Sequence, residues 1–332
     1  MSQTDFPDRS ARALDLLCLG RAGVDLYAQQ EGVALESVSS FRKSVGGSAA
    51  NVATGAARLG LRTGMLSVVS GDGFGRYVRS FLSDNGVDVS GVKTDASGAL
   101  NSLAITELRP DDCKVIIYRR GAADLQLAPQ DIDSSQVASA RALLVTGTAL
   151  SASPSREACL YAMTLARKAG TTVVLDMDYR PYGWSSEAQA SVYLQVACAM
   201  ADVVIGNREE FDVLDLQDSA SGAGAPRLLE GATRIVLVKD GARGCQILRR
   251  GEPAIEQGVF AVKARKPFGA GDAFAAATLW GVLEGRPWAE AARLGAAAAA
   301  IVVSGDGCAE SMPGRDALLA FVAEHSSHHP SS

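Results

Sequence analysis

The sequence predicts an α/β fold in which a mainly parallel central sheet is flanked by helices on both faces and carries a small β lid. The first observation is that short apolar segments, beginning with Leu14–Leu19, alternate with segments of helical period. The later apolar segments are 65–69, 142–145, 172–175, 203–205 and 235–238. Strands that alternate with helices favour a parallel sheet covered on both sides. The second observation is length: 332 residues, nearly half apolar, suffice for one large core.

The lid is predicted from a change in pattern between residues 97 and 120. Segments 103–106 and 115–118 are rich in β-branched residues and flank a turn at Pro110, Asp111 and Asp112, which is typical of a hairpin. With a second insertion at about 28–45, this hairpin would project from the sheet. The predicted organisation is one α/β domain at 12–325, with lid insertions at about 28–45 and 97–120 and a disordered tail at 326–332.

Composition excludes several functional classes. A net charge of −5 with mixed signs offers no basic surface for nucleic acid or an anionic membrane. Six scattered cysteines without a Cys-x-x-Cys pair indicate reduced thiols, and neither a signal peptide nor a membrane span is recognisable, so we expect a cytoplasmic protein. All three histidines lie in the last eight residues, which disfavours histidine-based catalysis and leaves proton transfer to a carboxylate or to Lys, Tyr or Cys.

The most informative motif is Gly269-Ala270-Gly271-Asp272, a glycine-rich turn that runs directly into the predicted helix at 270–283. Glycines let the backbone approach a ligand, and free N–H groups at a helix start attract anions. Asp272 falls in the first turn, where the helix dipole favours its ionised form. Phosphoryl transfer needs such donors beside a base for the attacking hydroxyl group. Taken alone, the motif fits an ordinary capped helix equally well.

A second motif, Gly46-Gly47-Ser48-Ala49-Ala50-Asn51, also opens a predicted helix. The two motifs resemble the N-terminal and C-terminal signatures of the ribokinase-like (PfkB) carbohydrate kinases in order and separation, over about residues 14–323. The resemblance implies ATP and Mg²⁺ as cofactors and transfer of the γ-phosphoryl group to a hydroxymethyl group. The chain departs from the family at Lys266-Pro267, where Asp-Thr is frequent, and at Lys239, where Thr is frequent.

The resemblance also assigns roles to residues elsewhere in the chain. Asn207 and Glu210 match the family's Asn-x-x-Glu and would organise Mg²⁺, although a helix N-cap with an acidic first turn explains them equally well. Asp25, Gly47 and Asn51 correspond to sugar-contacting positions. Three residues of segment 238–245, Lys239, Gly241 and Gly244, fall where the family contacts its nucleotide, and their alternative is a plain glycine-containing hairpin.

Two arginine-bearing patches narrow the predicted substrate. One contains Tyr118 and Arg119 at the end of the lid hairpin; the other contains Asp178 and Arg180 after a core strand. Arginine binds carboxylates through paired hydrogen bonds, so one or both patches suggest a sugar acid. Each patch taken singly also fits a solvated surface arginine. Within the family they resemble members that phosphorylate the terminal hydroxyl group of 5-dehydro-2-deoxy-D-gluconate in inositol catabolism. Kinases of 2-keto-3-deoxygluconate are the alternative.

Two alternatives outside sugar-acid phosphorylation remain. A non-catalytic sugar-sensing protein is disfavoured because Asp272 and its glycines are all retained, and a nucleoside kinase is disfavoured because a nucleoside has no carboxylate for the arginines. No Gly-Lys pair exists, which excludes a P-loop enzyme, and no Gly-x-Gly-x-x-Gly follows the first strand. Activation by a monovalent cation and the oligomeric state stay open, with a homodimer through the lid as the expected assembly.

Overall fold

The computed structural model describes residues 5–30, 32–107, 114–215, 224–264, 268–305 and 307–326. The predicted turn at 110–112, the departure at Lys266 and Pro267, Cys113 and the tail residues 327–332 lie outside the described residues. His325 lies in the last described helix and stacks on Phe321, so it packs with the body of the protein.

The larger of two sheets forms the body and is mainly parallel. Its strands in chain order are β1 (Leu14–Leu19), β4 (Thr63–Val69), β5 (Val87–Asp88), β6 (Val92–Thr94), β9 (Ala140–Thr146), β10 (Thr172–Asp176), β11 (Val203–Asn207), β12 (Ile235–Lys239), β13 (Cys245–Arg249) and β14 (Ile255–Gln257). Their spatial order is β14-β13-β12-β11-β10-β9-β1-β4-β5, and β6 pairs with β4. Only the β12-β13-β14 edge is antiparallel within this described order. The predicted fold class is therefore confirmed.

Helices cover both faces of this sheet. They are α1 (Ser48–Arg58), α2 (Gly73–Asp84), α3 (Ser134–Ala138), α4 (Ser155–Ala169), α5 (Glu187–Cys198), α6 (Arg208–Asp212), α7 (Gly224–Leu228), α8 (Ala270–Leu283), α9 (Trp288–Ser304) and α10 (Arg315–Ser326). Successive residues of a strand point to opposite faces. Accordingly Leu16 packs in one apolar core with α1 and α8, whereas Leu17 packs in a second core with α4 and α5. None of the described helices combines the length and apolar character needed to cross a bilayer.

The smaller sheet is the lid. Its strands are β2 (Gly23–Ala28), β3 (Phe41–Gly46), β7 (Leu103–Glu107) and β8 (Lys114–Tyr118), in the order β3-β2-β7-β8. The β7-β8 pair is antiparallel, as the predicted hairpin requires. Strand β2 was not predicted, because the first lid insertion was expected to begin only at about residue 28. Its alternation was the available signal: Val24 and Leu26 pack against the core, while Asp25 and Tyr27 line a cavity.

The carboxyl ends of β10, β11 and β12 meet at one edge of the larger sheet. They bring Asp176, Asn207 and Lys239 to that edge. In parallel α/β folds this edge is where ligands bind. The five described cysteines are buried and form no disulfide with one another, as expected of reduced thiols.

Candidate active site

A cavity of about 460 Å³ lies between this sheet edge and the lid. Its body side includes Asp176, Asp178, Arg180, Glu210, Lys239, Gly269, Gly271 and Asp272, and its lid side includes Asp25, Tyr27, Ala104, Thr106, Val115, Ile117 and Arg119. One end is thus rich in carboxylates beside a helix start. The other end combines polar groups with apolar strand residues, which suits a small polyol.

Asp272 stands at the start of α8, held by two side chains from α1. Ser48 Oγ donates to its Oδ1 at 3.0 Å, and Asn51 Nδ2 donates to its Oδ2 at 2.7 Å. The helix begins after Gly269, which has a positive φ of 84° that glycine adopts without strain. The first N–H groups of α8 have no partner within the helix, so they face the cavity mouth as anion donors beside the carboxylate.

The pKa of Asp272 is raised to about 6. Burial is the main cause, followed by the charge of Asp178, and the hydrogen bond from Asn51 opposes the shift. The sequence suggested that the helix dipole would dominate and hold Asp272 firmly ionised. In the folded protein desolvation outweighs that effect, because a charge loses solvation as it is buried. Asp272 is nevertheless mostly ionised at neutral pH and is a better proton acceptor than an exposed aspartate.

Lys239 places an ammonium group among the carboxylates. Its Nζ lies 3.3 Å from Asp176 Oδ1, and a methyl group at Gly271 would lie 3.3 Å from the same Nζ. Burial alone would lower the pKa of Lys239, but the nearby carboxylates, Asp176 first and Glu210 next, raise it overall. The lysine is therefore protonated and stands next to the helix start, where it adds a full positive charge to the anion site.

Asp178 adopts a backbone conformation that non-glycine residues rarely use, with φ of 31°. Its Oδ2 accepts a hydrogen bond from Thr148 Oγ1 at 3.0 Å, and its Oδ1 lies 3.0 Å from Arg180 Nη2. The charge of Asp178 raises the pKa of Arg180. These contacts fix a carboxylate and a guanidinium group on the body side of the cavity.

The sugar-contacting positions predicted near the Gly46–Asn51 motif depend on two glycines. A Cβ at Gly46 would lie 2.0 Å from Asp25 Oδ1, and a Cβ at Gly47 would lie 2.3 Å from the carbonyl oxygen of Arg21. Glycine is thus required for β3 to pass this close to β2 and for α1 to begin. Asp25 is buried, which raises its pKa, while its contact with Arg21 opposes that shift.

Asn207 and Glu210 form a reciprocal helix cap. Asn207 Oδ1 accepts from the Glu210 N–H at 2.8 Å, and Glu210 Oε2 accepts from the Asn207 N–H at 2.8 Å. Glu210 lines the cavity, whereas Asn207 does not. The cap that the sequence offered as the alternative to a metal role is therefore present, and Asn207 acts by positioning Glu210.

The structure brings most predicted site residues together. Eleven line the cavity, namely Asp25, Gly47, Asn51, Arg119, Asp178, Arg180, Glu210, Lys239, Gly269, Gly271 and Asp272. Five do not, namely Tyr118, Asn207, Gly241, Gly244 and Ala270. Tyr118 is 59% exposed, because on β8 it alternates with the cavity-facing Ile117 and Arg119. Its predicted substrate contact is corrected accordingly.

Gly241 and Gly244 flank a tight turn just beyond Lys239, between the antiparallel strands β12 and β13. Gly244 has φ of 97°, and a Cβ there would lie 2.0 Å from the carbonyl oxygen of Gln257. The turn borders a second depression of about 490 Å³, lined by Arg208, Asp240, Arg243, Cys245, Gln246 and Glu256. The two glycines shape this neighbouring depression and not the cavity itself.

Sequence reasoning missed several cavity residues. They are Arg21, Tyr27, Ser48, Thr148, Asp176, Tyr182 and Cys308. Ser48 belongs to the Gly46–Asn51 motif and could have been chosen with Asn51, since the two lie one helical turn apart. Cys308 reaches the site only through tertiary contact, where its Sγ lies 3.0 Å from the Tyr27 hydroxyl group.

Comparison with known proteins gives consistent matches over most of the chain. The family model described as pfkB family carbohydrate kinase matches residues 13–315. The 5-dehydro-2-deoxygluconokinase of Photobacterium profundum is 45% identical over 94% of this chain and 95% of its own length. The 5-dehydro-2-deoxygluconokinase 1 of Bacillus cereus is 42% identical with the same coverage of both chains.

Solved structures agree with this fold. A fructokinase with bound ATP from Xylella fastidiosa superposes with a TM-score of 0.86 at 26% identity, covering 94% of this chain and 99% of its own. A PfkB protein from Polaromonas sp. JS666 superposes with a TM-score of 0.82 at 30% identity, covering 93% and 100%.

Proposed function

Because the chain belongs to the pfkB family of carbohydrate kinases, we propose that it transfers the γ-phosphoryl group of ATP to the terminal hydroxyl group of 5-dehydro-2-deoxy-D-gluconate. The observation that carries the proposal is the placement of Asp272, a partly buried carboxylate at a helix start that lines a cavity of polyol size. The two relatives named for this reaction support the choice of substrate.

In this proposal Asp272 accepts the proton of the attacking hydroxyl group. The N–H groups at the start of α8, together with Lys239, stabilise the charge that spreads over the phosphoryl oxygens. Ser48 and Asn51 each donate a hydrogen bond to one oxygen of the Asp272 carboxylate, which fixes the orientation of the carboxylate toward the substrate. Asn51 Oδ1 is buried without a hydrogen-bond partner, and a substrate hydroxyl group would satisfy it.

The pH dependence of kcat/KM should follow the ionisation of Asp272. With a pKa of about 6, the carboxylate is protonated as the pH falls through 6, and a protonated carboxyl group cannot accept the hydroxyl proton. We expect kcat/KM for the sugar acid to fall about tenfold for each pH unit below 6. Rates measured between pH 4.5 and 8 in buffers of constant ionic strength test this. A profile that stays flat down to pH 4.5 would contradict the raised pKa.

The proposed nucleotide site uses the depression beside the β12–β13 turn. Gly241 and Gly244 give that turn positive φ angles that would strain a residue with a side chain. Lys239 lines the cavity, and the next residue, Asp240, lines the depression. A triphosphate laid from the depression toward α8 would place its last phosphoryl group beside Asp272. The ATP-bound fructokinase of the same fold supports ATP as the phosphoryl donor.

Magnesium would be bound on the carboxylate side of the cavity. Within the part of the chain that the structure describes, no group of three or more His, Cys, Asp or Glu forms a complete metal site. Carboxylate oxygens suit Mg²⁺, which keeps several waters and takes phosphate oxygens in addition to one or two carboxylates. Glu210 would supply such an oxygen, and Asn207 would fix its position. When bound, the ion would neutralise charge on the nucleotide phosphates.

Pairing of two copies through the lid stays a prediction. Ile116 and Tyr118 on β8 are 43% and 59% exposed, which supports a partner on the outer face of the lid.

A panel of acceptors tests the proposed reaction. ATP-dependent phosphorylation would be compared for 5-dehydro-2-deoxygluconate, 2-keto-3-deoxygluconate, fructose, ribose and adenosine, with an Asp272→Asn sample as the background. We expect the highest kcat/KM for 5-dehydro-2-deoxygluconate. A higher value for 2-keto-3-deoxygluconate would reassign the substrate within sugar acids, and a preference for adenosine or no phosphorylation at all would refute the proposal.

A further inference from the structure

The carboxylate of a sugar acid needs a cation at the cavity end opposite Asp272. The first candidate, Arg119, already donates its hydrogen bonds to other protein groups. Its Nε and Nη2 donate to Asp124 Oδ2 at 2.8 and 2.6 Å, and its Nη1 donates to the carbonyl oxygen of Thr148 at 2.9 Å. The pair is buried on both sides. Arg119 therefore connects the end of the lid to the body. Each of its guanidinium nitrogens already has an acceptor within the protein.

Arg180 lies at the wrong end of the cavity. It pairs with Asp178, and its electrostatic neighbours include Glu210 and Asp272. The carboxylate and the terminal hydroxyl group are at opposite ends of a six-carbon sugar acid. When the terminal hydroxyl group contacts Asp272, the substrate carboxylate therefore lies away from Asp272 and Arg180.

Arg21 lies beside Asp25 on the lid side of the cavity and is preorganised. Its side chain is 12% exposed and lines the cavity. Nε donates to Ser102 Oγ at 2.9 Å, and Nη2 donates to Asp25 Oδ1 at 3.2 Å. In the described part of the chain Nη1 makes no hydrogen bond. A buried guanidinium group anchored at two nitrogens thus retains donor capacity toward the cavity.

Arg21 and Asp272 contact different charged groups of the cavity. Arg21 pairs with Asp25 and lies near Asp124, whereas the charged groups near Asp272 are Asp178, Asp176 and Lys239. A sugar acid whose terminal hydroxyl group contacts Asp272 can therefore direct its carboxylate toward Arg21. The Tyr182 hydroxyl group, also on the cavity wall, lies within electrostatic range of Arg21.

We propose that Arg21 binds the carboxylate of the sugar-acid substrate and is the residue that selects an acid over a neutral sugar. The inference rests on the proposed function, since it presupposes that the terminal hydroxyl group reacts at Asp272. It replaces the assignment of that role to Arg119 and Arg180. Arg119 then has a structural role, and Arg180 acts on the side of the phosphoryl group.

The test compares the acid with its primary amide, which keeps the carbon skeleton but carries no charge. Wild-type protein should prefer the acid, and in Arg21→Met the ratio of kcat/KM for acid to amide should fall roughly 10- to 100-fold, since a charge-assisted hydrogen-bond pair is lost. Arg120→Met removes an exposed lid arginine and should leave the ratio unchanged. Arg21→Lys keeps the charge and should retain an intermediate ratio.

The outcomes separate the two claims. If wild-type protein phosphorylates neither compound, the proposed function fails. If wild-type protein prefers the acid and Arg21→Met lowers both rates equally with the ratio intact, Arg21 is merely structural and the inference fails. Should Arg21→Met not fold, as judged by its thermal unfolding, the ratio in Arg21→Lys decides, because an unchanged preference in that variant overturns the inference.

Discussion

Replacing Asp272 with asparagine is expected to lower kcat by ~100-fold or more, since a positioned general base contributes about that factor. Asparagine has nearly the same shape but cannot accept the hydroxyl proton. Binding of the sugar acid and of ATP should change little, because Lys239 and the N–H groups of α8 remain in place. Steady-state rates combined with calorimetric binding of each substrate separate these effects. Asp316→Asn, an exposed change in α10, is the matched control.

For the same variant we expect lower turnover without a loss of stability. The pKa of Asp272 is raised on folding from its ordinary value of 3.8 to about 6, so the folded state holds the proton more tightly than the unfolded state. Burying the carboxylate therefore costs stability above pH 6, and that cost vanishes below about 3.8. Asp272→Asn should leave Tm at pH 7 unchanged or higher. Near-normal turnover, or inactivity accompanied by a large fall in Tm, would contradict the assigned role.

The second large effect is expected from Gly46→Ala. The added methyl carbon would lie 2.0 Å from Asp25 Oδ1 and 2.2 Å from Asp25 Cγ, so the carboxylate must move. Because Asp25 also holds Arg21, both polar contacts at the sugar end would be displaced together. We expect kcat/KM for the sugar acid to fall by at least about 100-fold, a loss typical of misplaced substrate-positioning groups. Binding of ATP, at the other end of the cavity, should persist.

Gly258→Ala is the matched control, because no atom lies within 4 Å of its added methyl group and its φ is not positive. Any general cost of replacing glycine by alanine then appears in both variants. Isothermal titration calorimetry with the sugar acid and with ATP gives the dissociation constants of each variant for comparison. If Gly46→Ala binds the sugar acid as tightly as Gly258→Ala does, the proposed contact of Asp25 with the sugar is wrong.

The elements of the fold that follow from local patterns were predictable. Strand β1 and helix α8 have the bounds that their apolar pattern and flanking glycine indicate. Strand β2 was missed even though its alternation was visible. Period-two alternation would also have shown that Tyr118 and Arg119, being adjacent on a strand, face opposite sides of the lid.

The electrostatics of the site depend on tertiary contacts and could not be predicted. Asp178, which raises the pKa of Asp272, is separated from it by most of the C-terminal half of the chain. Likewise, Arg119 is engaged by Asp124 and by Thr148 of a different segment. A sequence motif identifies which residue carries a charge. Only the folded structure shows with which partner that charged residue already pairs.

The most direct test of the account is a structure of the protein with the sugar acid and a non-hydrolysable ATP analogue. We predict that the terminal hydroxyl group lies about 2.6–3.2 Å from an Asp272 carboxylate oxygen, the reach of a general base. The last phosphoryl group should lie beside the N–H groups at the start of α8, with the substrate carboxylate at Arg21. A sugar bound with this hydroxyl group away from Asp272, or a triphosphate directed away from α8, would contradict the account.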